Sequence, residues 1–306
     1  MDVVYISNKL NRYPFLYEGL CTNLKANGVK VVVLDTPNIW TRDYMPVQTK
    51  KGFIKFKYKT LAYEEWPQLH IDVDSDYWKG VFSAFQGLIN SNIVLDGGNC
   101  QMNDEKDTAI ITDVIFQHNP EYSREGLMAE LSKLLECKII VIPREPGDDL
   151  GHTDGIVKFA NTHFVLLNDY SGSIPPSELG GWPEKDREWV ETMDNYREEV
   201  ALLLRKNYNI RDIRFPNYYH MCPEMDEGEF RKKYPEADDF NPGWGYSINF
   251  LKVNDLCLVP VFNIPEDKVV IDKIKQYYDC SVVALDCSDL SMEGGLINCV
   301  TREYKL

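Results

Sequence analysis

Four short segments of this 306-residue chain carry five side chains that could together act on a charged substrate: three aspartates, one histidine and one cysteine. Asp43 lies in WTRDYMP, Asp96 in DGGNC, His152 and Asp154 in LGHTDG, and Cys299 in GGLINC. The intervals are 53 residues from Asp43 to Asp96, 56 from Asp96 to His152, and 147 from His152 to Cys299, which is close to three such periods. This spacing predicts that the segments occupy equivalent places in a repeated structure.

The chemistry of this set is restrictive. A deprotonated Cys299 is a nucleophile, and His152 can move protons near neutral pH. Carboxylates beside them do not suit a protease, because an oxyanion needs hydrogen-bond donors rather than negative charge. They do suit a planar guanidinium, which carboxylates hold by paired hydrogen bonds and on which Trp40 is a candidate to stack. We therefore expect Cys299 to attack a guanidinium carbon.

Two other interpretations were weighed for these residues. A lone cysteine is more often a small core residue than a nucleophile, but four segments in order count against that role for Cys299. A metal site is not favoured, because no second histidine lies at ligand spacing from His152. We therefore expect no metal.

The elements that must position these segments repeat in the order strand, strand, helix, strand. Four units follow this order. They are VQTKKGFIKFKY, DYWKGVFSAFQGLI and NIVLD; NCQM, TAIIT, SREGLMAELSKLLE and KIIVI; GIVKFA, HFVLL, the helical pattern 184–206 and DIRF; and YSINFLK, LCLVPVF, EDKVVIDKIKQYY and SVVALD. A fifth unit is completed by joining LINCVTREY at one end of the chain to DVVYIS, NRYPFLYEGLCTNLKANG and KVVVLD at the other.

Five ββαβ units, the fifth divided between the termini, predict a closed ring in a single domain over residues 1–306. Joining the first and last elements is how propeller-like folds avoid free edges. Each chemical segment follows the last strand of a unit, so closure is expected to bring the segments to one end of the ring axis. An open α/β sheet with the same elements is the alternative.

Composition restricts the partners. The formal net charge of −15 argues against nucleic acid or an anionic membrane, because both need clustered Lys and Arg. It is compatible with a cationic substrate. No apolar run approaches a membrane span, and the N-terminal residues lack a signal-peptide pattern. Eight cysteines without short metal spacing indicate reduced thiols, and we expect a cytoplasmic protein.

The four segments resemble, in order, motifs of the guanidino-group-modifying superfamily. WTRDYMP resembles W-x-R-D-x-x-P, DGGN an acid-Gly-Gly motif, GHTDG Gly-His-x-Asp, and GGLINC the terminal Gly-Gly…Cys. Within that superfamily, GYSINFLKVNDLCLVPVF is most similar to a segment of agmatine deiminases. The resemblance runs from Trp40 to Cys299 and implies the α/β pentein fold of five ββαβ units around a pseudo-fivefold axis.

The resemblance also implies roles. Cys299 is the expected nucleophile, His152 the general acid and base, and the acids bind the guanidinium. The candidate catalytic groups are Cys299, His152, Asp96 and Asp154, and the candidate substrate contacts are Asp43, Trp40, Gly98 and Asn298. The implied reaction converts agmatine to N-carbamoylputrescine and ammonia through a covalent thiouronium, with no cofactor. The implied partner is a small cationic guanidine, and a homo-oligomer is compatible.

Three departures from agmatine deiminases leave the tail of the substrate open. Asp96 stands where they usually have Glu, Asn298 where they usually have His, and their longer N-terminal segment with a tryptophan-rich motif is absent. The alternatives are hydrolysis of arginine or peptidyl-arginine, amidinotransfer, and non-catalytic guanidine binding.

Two further regions bear on the substrate tail. Residues 216–245 form a long segment that we expect to act as a lid. Asp148 and Asp149 are interpreted as solvated, or as contacts for a distal cation. Free arginine needs a cation for its carboxylate, and no arginine adjoins Cys299. The unplaced candidates for that cation are Arg12, Arg124, Arg144 and Arg187.

Overall fold

The computed structural model describes residues 1–59, 70–170, 184–219, 222, 226–235, 237 and 243–306. Within these residues, fifteen strands form five three-stranded sheets. The strands are β1 (Asp2–Ser7), β2 (Lys30–Leu34), β3 (Val47–Gln48), β4 (Phe53–Lys57), β5 (Ile89–Val94), β6 (Gln101–Met102), β7 (Thr108–Thr112), β8 (Lys138–Ile142), β9 (Val157–Asn161), β10 (Phe164–Asp169), β11 (Arg211–Pro216), β12 (Leu251–Val253), β13 (Leu256–Val261), β14 (Ser281–Asp286) and β15 (Arg302–Lys305).

The described helices connect and flank these strands. They are α1 (Pro14–Ala26), α2 (Thr41–Tyr44), α3 (Asp76–Phe82), α4 (Val114–His118), α5 (Arg124–Leu135), α6 (Glu184–Tyr208), α7 (Glu227–Lys233) and α8 (Asp267–Tyr277), with 3₁₀ turns at Asn8–Arg12, Gly97–Asn99, Thr153–Gly155 and Leu290–Glu293. None of the helices in the described part of the chain is long and apolar enough to cross a membrane.

All five sheets follow one rule. The second strand of each unit lies in the middle, antiparallel to the first and parallel to the third. In the sheet β6-β7-β8, Ile110 is opposite Gln101 on the antiparallel side and Ile140 on the parallel side. A short turn suffices for the antiparallel pair, whereas the parallel pair needs a helical crossover. The predicted ββαβ order is therefore confirmed in each unit.

The two chain ends form one sheet, with strand order β15-β1-β2. Tyr5 of β1 is opposite Arg302 of β15 in an antiparallel pair, and β1 runs parallel to β2 from Val3 to Ser7. The division of the fifth unit between the termini is confirmed. The C-terminal strand is thus held in a sheet, and the residues just before it have a fixed position. That residues 1–306 form a single domain stays a prediction.

Apolar faces at helical spacing hold the units together. In α5, Ser123 accepts a hydrogen bond from the Gly126 amide as an N-cap, and Leu127, Leu131 and Leu135 are buried. These leucines pack in one core cluster with residues of β5 and β7. Burial of each such side chain is worth about 1.5–3 kcal/mol. The helix is therefore pinned against its sheet by one face, as its sequence pattern predicts.

Two predicted strands are shorter than their patterns suggest. LINCVTREY is extended only from Arg302, and residues 297–300 form a turn in which the Val300 amide donates to Leu296 O (3.2 Å). YSINFLK is extended only from Leu251. The shortened ends carry residues of the candidate site, and Cys299 is one of them. The segment 216–245, predicted to be a lid, contains helix α7. Much of the remaining segment, including His220, lies outside the described residues, so its role as a lid stays a prediction.

Candidate active site

The segments that follow the last strands of the units meet at one end of the ring. Helix α2, after β2, carries Asp43, and the 3₁₀ turn Gly97–Asn99 follows Asp96 after β5. The Gly98 amide donates to Asp43 Oδ1 (2.8 Å), and Thr153 Oγ1 donates to Gly98 O (3.1 Å). Three units are therefore joined here by direct hydrogen bonds.

His152 lies between two buried carboxylates. Its Nε2 is 3.3 Å from Asp96 Oδ2, and its Nδ1 is 3.8 Å from Asp43 Oδ1. Burial alone favours the neutral ring, but the carboxylates of Asp43, Asp96 and Asp154 raise the pKa of His152 to about 10. Burial also raises the pKa of Asp43, an effect that protonated His152 opposes. At neutral pH the imidazole is thus a protonated acid that lies between the carboxyl groups of Asp43 and Asp96.

Gly98 is required by the space between these groups. A Cβ atom at this position would lie 2.7 Å from Asp43 Oδ1 and 2.8 Å from His152 Nδ1. Such distances are too short for any side chain. Gly98 therefore lets the backbone pass between the carboxylate and the imidazole, and its contact with substrate stays a prediction.

Cys299 is half-buried, and its Sγ lies 3.4 Å from Asp154 Oδ2 and 3.4 Å from Asn249 Oδ1. Asn249 Oδ1 also accepts from the Cys299 amide (3.3 Å). Burial first, then the charges of Asp154 and Asp43, raise the pKa of the thiol well above its ordinary value. In the empty site the sulfur is therefore a thiol rather than a thiolate.

Slow alkylation of Cys299 is the direct consequence. Because each pKa unit lowers the thiolate fraction about tenfold, iodoacetamide at pH 7.5 should modify Cys299 at least about tenfold more slowly than N-acetylcysteine. An amidine-bearing alkylator carries its own cation and should react faster than iodoacetamide. The rates are read from the mass of the peptide that contains Cys299. A rate with iodoacetamide equal to that of the free thiol contradicts the raised pKa.

Arg42 ties the nucleophile segment to α2. Its amide donates to Cys299 O (3.0 Å), and its Nε donates to Asn298 O (3.0 Å). Its guanidinium also pairs with Glu303 in β15 (2.5 Å) and holds the pKa of that carboxyl at about 2. Arg42 is therefore a positioning residue that fixes Cys299 relative to its chain neighbour Asp43.

The glycine pair before Cys299 is held from two sides. Glu293 accepts from Arg12 Nη2 (2.6 Å) and from the Tyr13 hydroxyl, so the loop is anchored to the N-terminal part of the chain. On the other side, a Cβ at Gly295 would lie 2.3 Å from the ring of Trp40. Trp40 thus supports the loop from beneath and does not line the cavity of Cys299. The stacking of Trp40 on the substrate therefore remains a prediction.

Asn298 also lies behind the reactive groups rather than in their cavity. Its Nδ2 donates to Asp154 Oδ2 (2.8 Å), and its Oδ1 accepts from Arg42 Nη2 (3.0 Å) and Lys158 Nζ (3.3 Å). Its side chain is buried. Asn298 therefore orients the carboxylate of Asp154, which faces Cys299.

A cavity of about 410 Å³ opens from Cys299, His152 and Asp154. At its far side Glu145 is buried, and its carboxylate accepts from the hydroxyls of Tyr170 (2.6 Å) and Tyr246 (3.0 Å). Burial raises the pKa of Glu145 to about 7. Asp148 and Asp149 also line this cavity. Asp148 accepts a hydrogen bond from the His152 amide (3.3 Å), and Asp149 is exposed.

Four aromatic rings surround this far side in a continuous series of contacts. The ring centroids are 5.1 Å apart for Tyr170 and Trp189, 5.2 Å for Trp189 and Tyr219, 6.2 Å for Tyr219 and Tyr246, and 5.9 Å for Tyr246 and Tyr170. Rings of this kind attract cations through their faces. The far end of the cavity is thus suited to a second positive charge.

The arginines left unplaced by the sequence lie elsewhere. Arg12 pairs with Glu293, Arg124 covers Phe116, and Arg144 donates to Gln117. Arg187 is exposed. Neither Arg nor Lys is found among the described residues that line the Cys299 cavity. This part of the chain therefore offers no cationic clamp for a substrate carboxylate.

Sequence reasoning missed two groups of the site. Asn249 belongs to YSINF, which was interpreted as strand, so its contact with Cys299 was not expected. Glu145 comes seven residues before His152 in REPGDDLGH, in which only Asp148 and Asp149 are interpreted as contacts for a distal cation. Among the described residues, no group of His, Cys, Asp and Glu is arranged to hold a metal ion.

Comparison with known proteins gives a consistent result. The family model described as Porphyromonas-type peptidyl-arginine deiminase matches residues 7–304. A Listeria monocytogenes protein named "Putative agmatine deiminase 1" is 21% identical over 297 residues, which cover 91% of this chain and 78% of that protein.

Two solved agmatine deiminases share the fold. That of Enterococcus faecalis has a TM-score of 0.68 at 13% identity, and the alignment covers 98% of this chain and 92% of that one. A cysteine-to-serine variant of the C. jejuni enzyme, solved with substrate bound, has a TM-score of 0.67 at 12% identity with the same coverage. At such low identity, the structural likeness establishes the pentein fold alone.

Proposed function

The chain belongs to the Porphyromonas-type peptidyl-arginine deiminase family, and we propose that it hydrolyses the guanidine C–N bond of agmatine, with Cys299 as the nucleophile. The products are N-carbamoylputrescine and ammonia. The family, the named relatives and the charge of the site support this proposal.

One observation carries it: the cavity of Cys299 is lined by four carboxylates, those of Glu145, Asp148, Asp149 and Asp154, and by no described Lys or Arg. Two of these carboxylates have different surroundings, because Asp154 lies beside the sulfur and Glu145 lies among aromatic rings. A linear dication with a guanidinium at one end and an ammonium at the other matches that distribution. Asp96 Oδ1, buried and without a described partner, is a further acceptor near His152.

The reaction follows from the charges. Binding of the guanidinium next to Asp154 lowers the thiol pKa of Cys299, and the thiol proton passes to solvent. The sulfur attacks the guanidinium carbon, and protonated His152 gives its proton to one amino group, which leaves as ammonia. A cationic thiouronium remains.

Water completes the turnover. Neutral His152 takes a proton from water as the oxygen bonds to the thiouronium carbon. The C–S bond then breaks, the sulfur regains a proton from the new hydroxyl group, and the ureido product is released. Asp154 stays near the cationic carbon in both halves. Water supplies the oxygen, so no oxidant or reductant is needed.

Selectivity for agmatine over arginine is the first expected result. The carboxylate of arginine would meet Glu145 and Asp148 without a cation nearby, and like charges in contact cost several kcal/mol. We expect kcat/KM for agmatine to exceed that for free arginine at least about 100-fold. Ureido product is measured for agmatine, arginine, methylated arginine and an arginyl peptide. A preference for arginine or for the peptide would reject the assignment of agmatine.

Removal of the charge at Glu145 tests the tail contact. Because a hydrogen bond to a charged group is worth about 1.5–3 kcal/mol, Glu145→Gln should raise KM for agmatine about tenfold or more and leave kcat within a few-fold. The matched substrate is 1-butylguanidine, which lacks the ammonium and should show an unchanged KM. The matched variant is Glu121→Gln at an exposed position outside the cavity, which should leave KM for agmatine unchanged. Equal effects on both substrates would place the ammonium elsewhere.

A further inference from the structure

A second cavity of about 370 Å³ lies at the other end of the ring axis. It is lined by residues of β3, β6, β9, β12 and β15, the first strand of each unit. These strands begin at the catalytic end, where Asp154 precedes β9 and Cys299 precedes β15, and they run away from it. The cavity is therefore distinct from that of Cys299, and Cys299 does not line it.

The charge of this back cavity is opposite to that of the chain. Six cationic side chains line it against three carboxylates, in a chain whose net charge is −15. Two of the cations are neutralised, because Arg42 pairs with Glu303 (2.5 Å) and Lys252 with Asp104 (2.9 Å). A positive excess therefore remains in this cavity.

Three of the remaining cations form no direct ion pair in the described part of the chain. The nearby Glu303 favours the charged forms of both lysines but is itself paired with Arg42. Lys106 Nζ contacts only the oxygens of Gln48, at 3.1 and 3.4 Å, and Lys158 Nζ donates to Phe250 O (2.7 Å) and Asn298 Oδ1 (3.3 Å). Arg302 is 6% exposed and donates through Nε to Pro46 O (3.1 Å). Burial lowers the pKa of both lysines to about 8. Desolvated cations of this kind are stabilised by an anion.

We propose that the back cavity is a binding site for a phosphate group, free or carried by a small molecule, held by Lys106, Lys158 and Arg302. A phosphate group carries more negative charge and more acceptor oxygens than a carboxylate, so it suits a site with three cationic donors. The cavity also has room beyond a phosphate for a further part of the ligand.

The same contacts join this site to the catalytic end. Lys158 shares Asn298 Oδ1 with Arg42, and the amide nitrogen of Asn298 holds Asp154 Oδ2. A phosphate that draws Lys158 towards itself therefore weakens one contact of the residue that orients Asp154. We expect saturating phosphate to change KM for agmatine at least about twofold.

The test uses the full chain and calorimetric titration with inorganic phosphate, pyrophosphate and AMP at constant ionic strength. We expect saturable binding of at least one of them, weakened at least about tenfold in Lys106→Gln and unchanged in Lys79→Gln, an exposed lysine outside the cavity. Tighter binding of AMP than of phosphate identifies a carried phosphate, and the reverse identifies free phosphate. Absence of saturable binding, or equal affinity in Lys106→Gln, overturns the proposal.

Kinetics test the coupling separately. Agmatine KM is measured with and without saturating phosphate in the parent and in Lys106→Gln, whose lysine is not in contact with the reacting groups. A phosphate-dependent change that is lost in the variant supports the coupling. An unchanged KM in the parent, with binding intact, overturns the coupling while the site stands. The calorimetric test is independent of the guanidine that the enzyme prefers, whereas the kinetic test rests on the proposed function.

Discussion

Replacement of Cys299 by serine is expected to lower kcat for agmatine at least about 10⁴-fold, with KM changed by no more than a few-fold. A serine hydroxyl has a much higher pKa than a thiol, and two acceptors, Asp154 Oδ2 and Asn249 Oδ1, lie 3.4 Å from the sulfur position. Nucleophile removal in hydrolases costs up to about 10⁶ in kcat. The carboxylates that we propose to bind the guanidinium, Asp43 and Asp154, are retained in this variant, so binding should persist.

The matched control is Cys21→Ser, a half-buried thiol on α1 remote from the cavity. Its kcat should stay within twofold of the parent. Agmatine binding to Cys299→Ser is measured by calorimetry. Retention of binding with loss of turnover separates an enzyme from a guanidine-binding protein. Activity of Cys299→Ser within tenfold of the parent would show that another group attacks the substrate.

His152→Asn is expected to lower kcat about 10³-fold and to change the pH profile. General acid–base catalysis contributes about 10²–10⁴. The protonated imidazole is the acid that delivers a proton to the leaving ammonia, and its pKa of about 10 keeps it protonated at neutral pH. In the parent the rate should therefore hold through the neutral range and fall as the pH rises through about 10. The variant should lack that falling limb.

The apparent value of that limb belongs to His152 and Asp43 together, because the pKa of Asp43 is also raised and its carboxyl group lies beside the imidazole. His163→Asn, at an exposed position outside the Cys299 cavity, is the control and should keep both kcat and the limb. A parent whose rate instead falls as the pH rises through 7 would put the pKa of the catalytic acid near 7 and contradict the raised pKa of His152. The same falling limb in His152→Asn would assign the titration to another group.

The ring could be predicted because its signal is repeated. Hydrophobic periodicity gives strand, strand, helix, strand five times, and each unit supports the same interpretation of the others. The meeting of Asp43, Asp96, His152, Asp154 and Cys299 then follows from topology, since each lies after the last strand of a unit. The short contacts around His152 and Gly98 agree with that expectation.

What could not be predicted depends on side-chain direction at element ends. Asn249 and Asn298 lie in residues that read as strand but form turns, and a turn changes which side of the chain a side chain occupies. Asn298 thereby points to Lys158 and Arg42 instead of the cavity. Trp40 likewise meets Gly295 because the loop passes over it, a contact between positions 255 residues apart. No periodicity encodes such contacts.

The most direct test of the account is turnover of agmatine in ¹⁸O-labelled water, with the ureido product and ammonia measured in the same reaction. Hydrolysis through a Cys299 thiouronium predicts one ¹⁸O atom in the ureido carbonyl and one ammonia released per product, with both signals lost in Cys299→Ser. Transfer of the amidine to an added amine, with no ureido product and no ammonia, would contradict the account.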